Sequence, residues 1–314
     1  MIWNRLNNTV NVGGIPHLQG CPLNFLEAGD PMIKLVIASG KGGTGKTTVA
    51  INLALALQGE NIQLLDCDVE EPNAHLFLKP QFDNTINIGI PVPSVDLQKC
   101  TFCGRCAEVC AFNALAVFQD QVMVLAELCH GCGSCAYLCP EKAISEVDRP
   151  IGVIESGSAS GLKFAHGRLN PGEAMSPPLI NAVKKLVDPD CITIIDAPPG
   201  TSCPVVSAVS DCDFCLLVTE PTPFGLNDLD LAFQMVTRLG IPAGVVINRS
   251  DLGDDAVEDY CQKNHLPVLQ KIPFDLEMAK LYARGEPAVT HLPVWHDQFV
   301  KLFERIIEAH EGAL

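Results

Sequence analysis

An apolar run over residues 33–38 leads directly into Gly40-Lys41-Gly42-Gly43-Thr44-Gly45-Lys46-Thr47, and a helical pattern over residues 46–58 follows. No other feature limits the possible folds of this chain as strongly. The spacing is G-x-x-x-x-G-K-[ST], and it falls between an expected strand and an expected helix, the setting in which it forms a phosphate-binding loop. Its glycines let backbone N–H groups turn inward around phosphate oxygens. The start of the helix, with Thr48, adds partial positive charge. Lys46 is suited to reach β- and γ-phosphates, and the Thr47 hydroxyl to bind Mg²⁺. A glycine turn arising by chance would need neither the lysine, the threonine nor the flanking strand.

The rest of the chain repeats this strand-then-helix alternation. Short apolar runs at 62–65, 192–195, 214–218 and 244–247 read as buried strands, and 204–209, 227–239 and 255–264 read as helices. Such alternation predicts an α/β fold, a parallel sheet covered on both faces. The 314 residues allow one large domain and a small one. Residues 1–31, with Gly13, Gly14, Pro16 and Pro22, read as an irregular extension, and Met32 is a candidate alternative start.

With 47% hydrophobic and 18% charged residues the composition is globular. The net charge of −16 repels nucleic-acid phosphate and anionic lipid, so no nucleic-acid partner and no stable membrane association are expected. It suits a basic redox protein as partner. No apolar run reaches membrane-spanning length and no secretory leader is visible, so the expected location is cytoplasmic. In a chain of this size and setting, 15 cysteines indicate metal ligation and not a disulfide framework.

The alternation breaks over residues 93–149, between hairpin-like segments at 85–92 and 152–169. Cys100-x2-Cys103-x2-Cys106-x3-Cys110 and Cys129-x2-Cys132-x2-Cys135-x3-Cys139-Pro140 share one spacing. That spacing is the bacterial ferredoxin run, whose fourth cysteine ligates the other cluster. Cys100, Cys103, Cys106 and Cys139 are therefore assigned to one [4Fe–4S] cluster, and Cys129, Cys132, Cys135 and Cys110 to a second. Ala111 stands where the usual proline would follow the first run. Zinc sites use pairs separated by longer gaps and fit the pattern less well. The expected organisation is an extension (1–31), a nucleotide-binding domain (32–92 and 150–314) and an inserted ferredoxin domain (93–149) whose ends lie close together.

The segment K-G-G-T-G-K-T resembles the deviant Walker A motif of the MinD, ParA, Mrp and nitrogenase iron-protein group. With the cysteine runs, nearly everything after Pro31 is similar to MinD/Mrp-superfamily P-loop ATPases that contain an inserted 2[4Fe–4S] ferredoxin domain. The resemblance implies ATP/ADP and Mg²⁺ as ligands and a nucleotide-dependent homodimer, in which Lys41 reaches the partner's nucleotide. It implies that Asp66-Cys67-Asp68 is switch I, with Asp68 acting on the attacking water and Asp66 supporting it or the Mg²⁺ shell. It also implies that Asp196, in Asp196-Ala197-Pro198-Pro199-Gly200, holds Mg²⁺. Asn248-Arg249-Ser250-Asp251 alone resembles the N-[KR]-x-D guanine signature. The deviant loop favours ATP, with Asn248 and Arg249 at the base and Pro273-Phe274-Asp275 as a second base-pocket segment.

Other residues carry weaker signals. Cys203 lies at an offset from Asp196 similar to that of a cluster ligand in the nitrogenase iron protein. No second cysteine is evident, so a buried or redox-silent thiol is expected. Cys212 and Cys215 form a C-x-x-C whose second member enters a strand, where i and i+3 face opposite sides. Cys21, Cys67, Cys191 and Cys261 have no partner pattern, and His130 reads as an exposed loop residue. Phe299, Leu302, Phe303, Ile306 and Ile307 form one face of a helix. Its polar face mixes Lys301 and Arg305 with Asp297, Glu304 and Glu308, which suits docking on the protein's own core better than a membrane. The expected function is an ATP-binding and ATP-hydrolysing iron–sulfur protein that couples dimer closure to electron transfer. The alternatives are a cluster carrier or assembly ATPase, and a positioning switch with structural or sensory clusters.

Overall fold

The computed structural model describes residues 32–313; the extension expected at 1–31, Cys21 included, lies outside the described residues. In chain order the elements are β1 (Lys34–Ala38), α1 (Lys46–Ala56), β2 (Ile62–Asp66), α2 (Ala74–Leu78), β3 (Gln81–Val95), α3 (Arg105–Glu108), β4 (Leu115–Val117), β5 (Val122–Val124) and α4 (Ser134–Tyr137). There follow β6 (Ile144–Ala159), β7 (Leu162–Leu169), α5 (Pro177–Lys184), β8 (Ile192–Asp196), α6 (Cys203–Val209), β9 (Phe214–Thr219) and α7 (Pro223–Arg238). The chain ends with β10 (Ala243–Asn248), α8 (Ala256–Lys263), β11 (Val268–Ile272), α9 (Leu276–Ala283) and α10 (Pro293–Glu311).

The strands form one sheet in the order β11-β10-β9-β1-β8-β2-β7-β6-β3. From β11 to β7 every pairing is parallel. These strands read as near-continuous apolar runs because both of their faces are covered. Side chains alternate between the faces. Leu35 and Ile37 pack with α1 and α10, while Val36 and Ala38 pack on the side of α5, α6 and α7. The expected docking of the C-terminal helix on the core is what the structure has, for α10 buries Trp295, Phe299, Leu302, Phe303 and Ile306. No helix among the described residues is long and apolar enough to cross a membrane.

The far side of the sheet departs from expectation. The hairpin expected at 152–169 is present, from Gly152↔Leu169 to Ala159↔Leu162, but 85–92 lies inside β3, a strand of 15 residues paired antiparallel with the 16-residue β6 from Gln81↔Ser158 to Val95↔Ile144. β6 also pairs antiparallel with β7, so the ribbon extends the parallel sheet. Pro91 and Pro93 read as breakers in the sequence. β3 is the edge strand, where a missing N–H needs no partner. The register shift at Ile88/Gly89 absorbs the remaining irregularity. The boundaries at 93 and 149 therefore fall inside paired strands, and the chain leaving Val95 returns at Ile144 beside it.

Candidate functional site

β1 ends beneath the loop that starts α1. Gly45 precedes that helix in the left-handed region, with φ 98° and no side-chain cap, which leaves the first N–H groups of α1 open. The loop opens on a pocket of about 400 Å³ lined by Gly42, Gly43, Gly45, Lys46, Thr47, Thr48, Asp68, Pro199, Asn248 and Arg249. Glu71, Asn73, Met278, Ala279 and Tyr282 complete its wall with Pro273, Phe274 and Asp275. Lys46 is only 6% exposed.

The remaining loop residues lie around the pocket. Gly40 packs so tightly against the Asp228 backbone that a Cβ would stand 2.1 Å from its carbonyl oxygen. Thr44 is buried and its hydroxyl has no hydrogen-bond partner. Lys41 lies outside the pocket lining, with its ammonium 3.7 Å from Glu220, whose other carboxylate oxygen accepts from Arg249 at 2.8 Å.

Below the phosphate end three carboxylates gather, two of them, Asp68 and Asp196, under the pull of the Lys46 ammonium. Asp66 and Asp196 are paired in register on β2 and β8 and both are fully buried. Burial raises the Asp196 pKa, Thr47 and Lys46 pull it down, and Asp68 raises it again. Neither Asp196 oxygen has a formed hydrogen bond. Asp66 is pushed up by burial first and by Asp196 second. Its oxygens accept the N–H groups of Asp68, Asn73 and Ala74, each at 3.1 Å, so it shapes the turn that carries Asp68 and starts α2. Burial raises Asp68 to about 6, against the pull of Lys46. Orphaned carboxylate oxygens next to a threonine hydroxyl and a phosphate-type loop are a donor set for a hard cation such as Mg²⁺.

At the other end, Asn248 Nδ2 donates to the Thr44 carbonyl at 2.8 Å, tying β10 to the loop. Asp251, the fourth residue of the guanine-like segment, accepts the Phe274 N–H at 2.6 Å and is not part of the pocket lining. Sequence reasoning missed Tyr282, Met278 and Ala279, which α9 brings in from far along the chain. The available signal for that helix was Glu277 and Lys280, three residues apart on one face of an otherwise apolar run, after Asp275 as N-cap.

The eight clustered cysteines all lie at the tip of the β3–β6 ribbon. Cys100, Cys103, Cys106 and Cys139 line one small cavity of about 20 Å³. Cys110, Cys129, Cys132 and Cys135 line a second of about 20 Å³. The sets are those expected from the spacing, with the fourth cysteine of each run crossing to the other. The repeat extends to the backbone. N–H groups of Phe102 and Gly131 donate to Cys100 and Cys129 Sγ, each at 3.4 Å, and those of Ala114 and Ala143 donate to Cys110 and Cys139 at 3.2 and 3.3 Å. Phe102, Gly104 and Asn113 have positive φ, as do their counterparts Gly131, Gly133 and Lys142. Among the described residues, no group of three or more His, Cys, Asp or Glu side chains is close enough to hold a metal ion. Each tetrad instead rings a small cavity. Four thiols in each set are the donors that an iron–sulfur cluster would require. His130 is exposed and stacks on Phe112 at 3.7 Å.

Cys203 corrects one expectation. It is expected to be buried or redox-silent; it begins α6 and is exposed, which removes the first of the two. Cys212 and Cys215 are both buried, and the Cys212 thiol donates to the Ala208 carbonyl.

A P-loop at the end of a central parallel strand, with buried aspartates on the neighbouring strands, defines a nucleotide-binding protein of the P-loop class. The chain belongs to the CobQ/CobB/MinD/ParA nucleotide-binding domain family, whose model matches residues 35–288. It is 33% identical to an uncharacterised protein of Methanocaldococcus jannaschii, over 80% of this chain and 88% of that protein. It is 25% identical to a protein of the same organism named iron-sulfur cluster carrier protein, over 89% of this chain and 85% of the relative. Among solved structures it is similar to the cell-division ATPase MinD of Pyrococcus furiosus, with a TM-score of 0.56 and 23% identity, over 88% of this chain and 99% of that one.

Proposed function

We propose that this protein is an ATP-driven iron–sulfur protein, with Mg-ATP at the loop of α1 and two [4Fe–4S] clusters in an inserted ferredoxin domain at the ribbon tip. One observation carries this reading. Two complete, symmetry-related cysteine tetrads and a P-loop pocket with an unpartnered aspartate occur in one chain. Lys46, Thr47 and Thr48 would hold the phosphates and Asp196 the Mg²⁺. Asp68 would take up the proton of the attacking water. Adenine is favoured over guanine because the Asp251 carboxylate that a guanine would need does not line the pocket and is turned to the Phe274 N–H instead. When bound, the clusters supply one-electron chemistry, and the thiols with their N–H donors hold them. Anaerobically prepared protein is expected to contain about eight irons per chain and to bind Mg-ATP. Iron near one per chain, or no nucleotide affinity, would end the reading.

Two uses of this arrangement remain distinct. Cluster carriage is favoured by the relatives of Methanocaldococcus and Pyrococcus that are named iron-sulfur cluster carrier proteins. Exposure of Cys103 and Cys132, one in each tetrad, gives a recipient's thiols an approach. Electron transfer, the leading expectation from the motifs, has the completeness of the tetrads in its favour and is the second reading. Incubation of the loaded protein with an apo-ferredoxin separates them. Transfer of iron and sulfide that Mg-ATP accelerates supports carriage. Clusters that stay in place, with a reduction rate that depends on nucleotide, support electron transfer.

A further inference from the structure

His166 joins three parts of the molecule. It lies on β7 in register with Asp66 of β2 and is 2% exposed. Its Nε2 is 3.0 Å from a carboxylate oxygen of Glu155 on β6. Its ring stacks on Phe82 of β3, with centroids 5.2 Å apart. From above, His75 of α2 meets it edge-on at 5.0 Å. β3 and β6 are the two strands that run out to the cysteines. α2 is the helix whose first N–H groups end on Asp66, the carboxylate that also holds the Asp68 turn. The same helix sets Phe77 against Tyr282 of the nucleotide pocket, with centroids 4.9 Å apart. α2 is thus in contact with the phosphate end, the base end and the root of the ribbon.

The histidine contact is incomplete in this conformation. Nδ1 of His75 and Nδ1 of His166 are both buried and neither has a hydrogen-bond partner. Burial disfavours the charged form of each ring, and Glu155 and Arg168 are the charged groups that bear on both. Buried nitrogens without partners mark a place where a second arrangement of the same groups gains something the first lacks. A small displacement of α2 that pairs them is such an arrangement. A ligand that touches Asp68 and Tyr282 has different contacts in the two positions of α2, which is the requirement for shifting them.

We infer that α2 is the coupling element of this protein: nucleotide in the pocket moves α2, and the His75–His166 contact hands that movement to the paired strands bearing the cysteine runs. The inference rests on the reading of the pocket and the tip given above. It names how one acts on the other, whether the clusters are cargo or electron carriers.

The test uses the full chain, loaded with clusters under anaerobic conditions, without nucleotide, with Mg-ADP and with a non-hydrolysable ATP analogue. Amide hydrogen exchange is followed over residues 84–95 and 144–154, and the electron paramagnetic resonance of the reduced clusters is recorded in parallel. In the wild type the analogue is expected to change ribbon exchange by about threefold or more. His75→Phe, a half-exposed helix position where substitution leaves the core intact, is expected to abolish that change. ATP turnover should stay within about twofold, since His75 does not line the pocket. His166→Phe, which keeps the ring packing, is expected to behave in the same way. A nucleotide response that persists in both variants overturns the coupling route and leaves the reading of pocket and tip standing. Protein that binds nucleotide and clusters with no response at the ribbon overturns the coupling. Failure to bind either one overturns the reading beneath it.

Discussion

Asp68 has a pKa of about 6 without nucleotide, from burial partly offset by Lys46. Turnover is therefore expected to rise through about pH 6 as it becomes able to accept a proton, and Asp68→Asn should lower kcat by about 10²–10⁴ and remove that inflection from the pH profile. Stability runs the other way. The folded pKa lies above the ordinary value of 3.8, so this residue's contribution is intact below about pH 4 and is lost as the pH rises through about 6. Thermal melts of nucleotide-free wild type and Asp68→Asn should diverge over that window. At Gly45, φ is +98° and a Cβ would stand 2.5 Å from Asn248 Nδ2. Left-handed strain of about 1–2 kcal/mol on an alanine, together with that clash, should weaken nucleotide binding at least tenfold in Gly45→Ala, as read by calorimetric titration. The sequence made residues 40–48 and the cysteine runs legible because their chemistry depends on near neighbours. It hid Tyr282 and Asn73, which reach the pocket only through the fold, and it did not settle the burial of Cys203, which begins α6.

Among elements, the parallel strands were readable to within a residue or two, since burial on both faces leaves an unbroken apolar run. The ribbon was readable in part: the hairpin over 152–169 was expected, but the full length of β3 was not, because Gly89, Pro91 and Pro93 interrupt it and fit only on an edge strand. α10 gave its face away by its 3.6-residue period. Phe299 is 1% exposed in that face, so Phe299→Ala should lower stability by about 3–5 kcal/mol, seen as a lower urea midpoint. In the tip, Cys106 belongs to only one of the two tetrads. Cys106→Ser is expected to bring iron from about eight to about four per chain, with nucleotide affinity unchanged. Loss of all iron would mean that the tetrads do not load independently.

For the whole molecule, the position of Lys41 bears on assembly. It lies outside its own pocket lining and 3.7 Å from Glu220, a carboxylate it would have to leave in order to reach another copy's nucleotide. Sedimentation velocity is expected to show a monomer without nucleotide and a dimer with the non-hydrolysable ATP analogue, and Lys41→Ala should remain monomeric. A wild type that sediments identically in both conditions would rule out the nucleotide-dependent pair.

The strand order also dictates a sequence of events on the ribosome. β1 is made first yet lies between β8 and β9, so the centre of the sheet cannot close until Thr219 has emerged. The cysteine tip draws its contacts from one short stretch of chain, and is complete as soon as Ala143 and its neighbours are out. The cysteine end of this protein can therefore be finished before the nucleotide end has a floor to stand on.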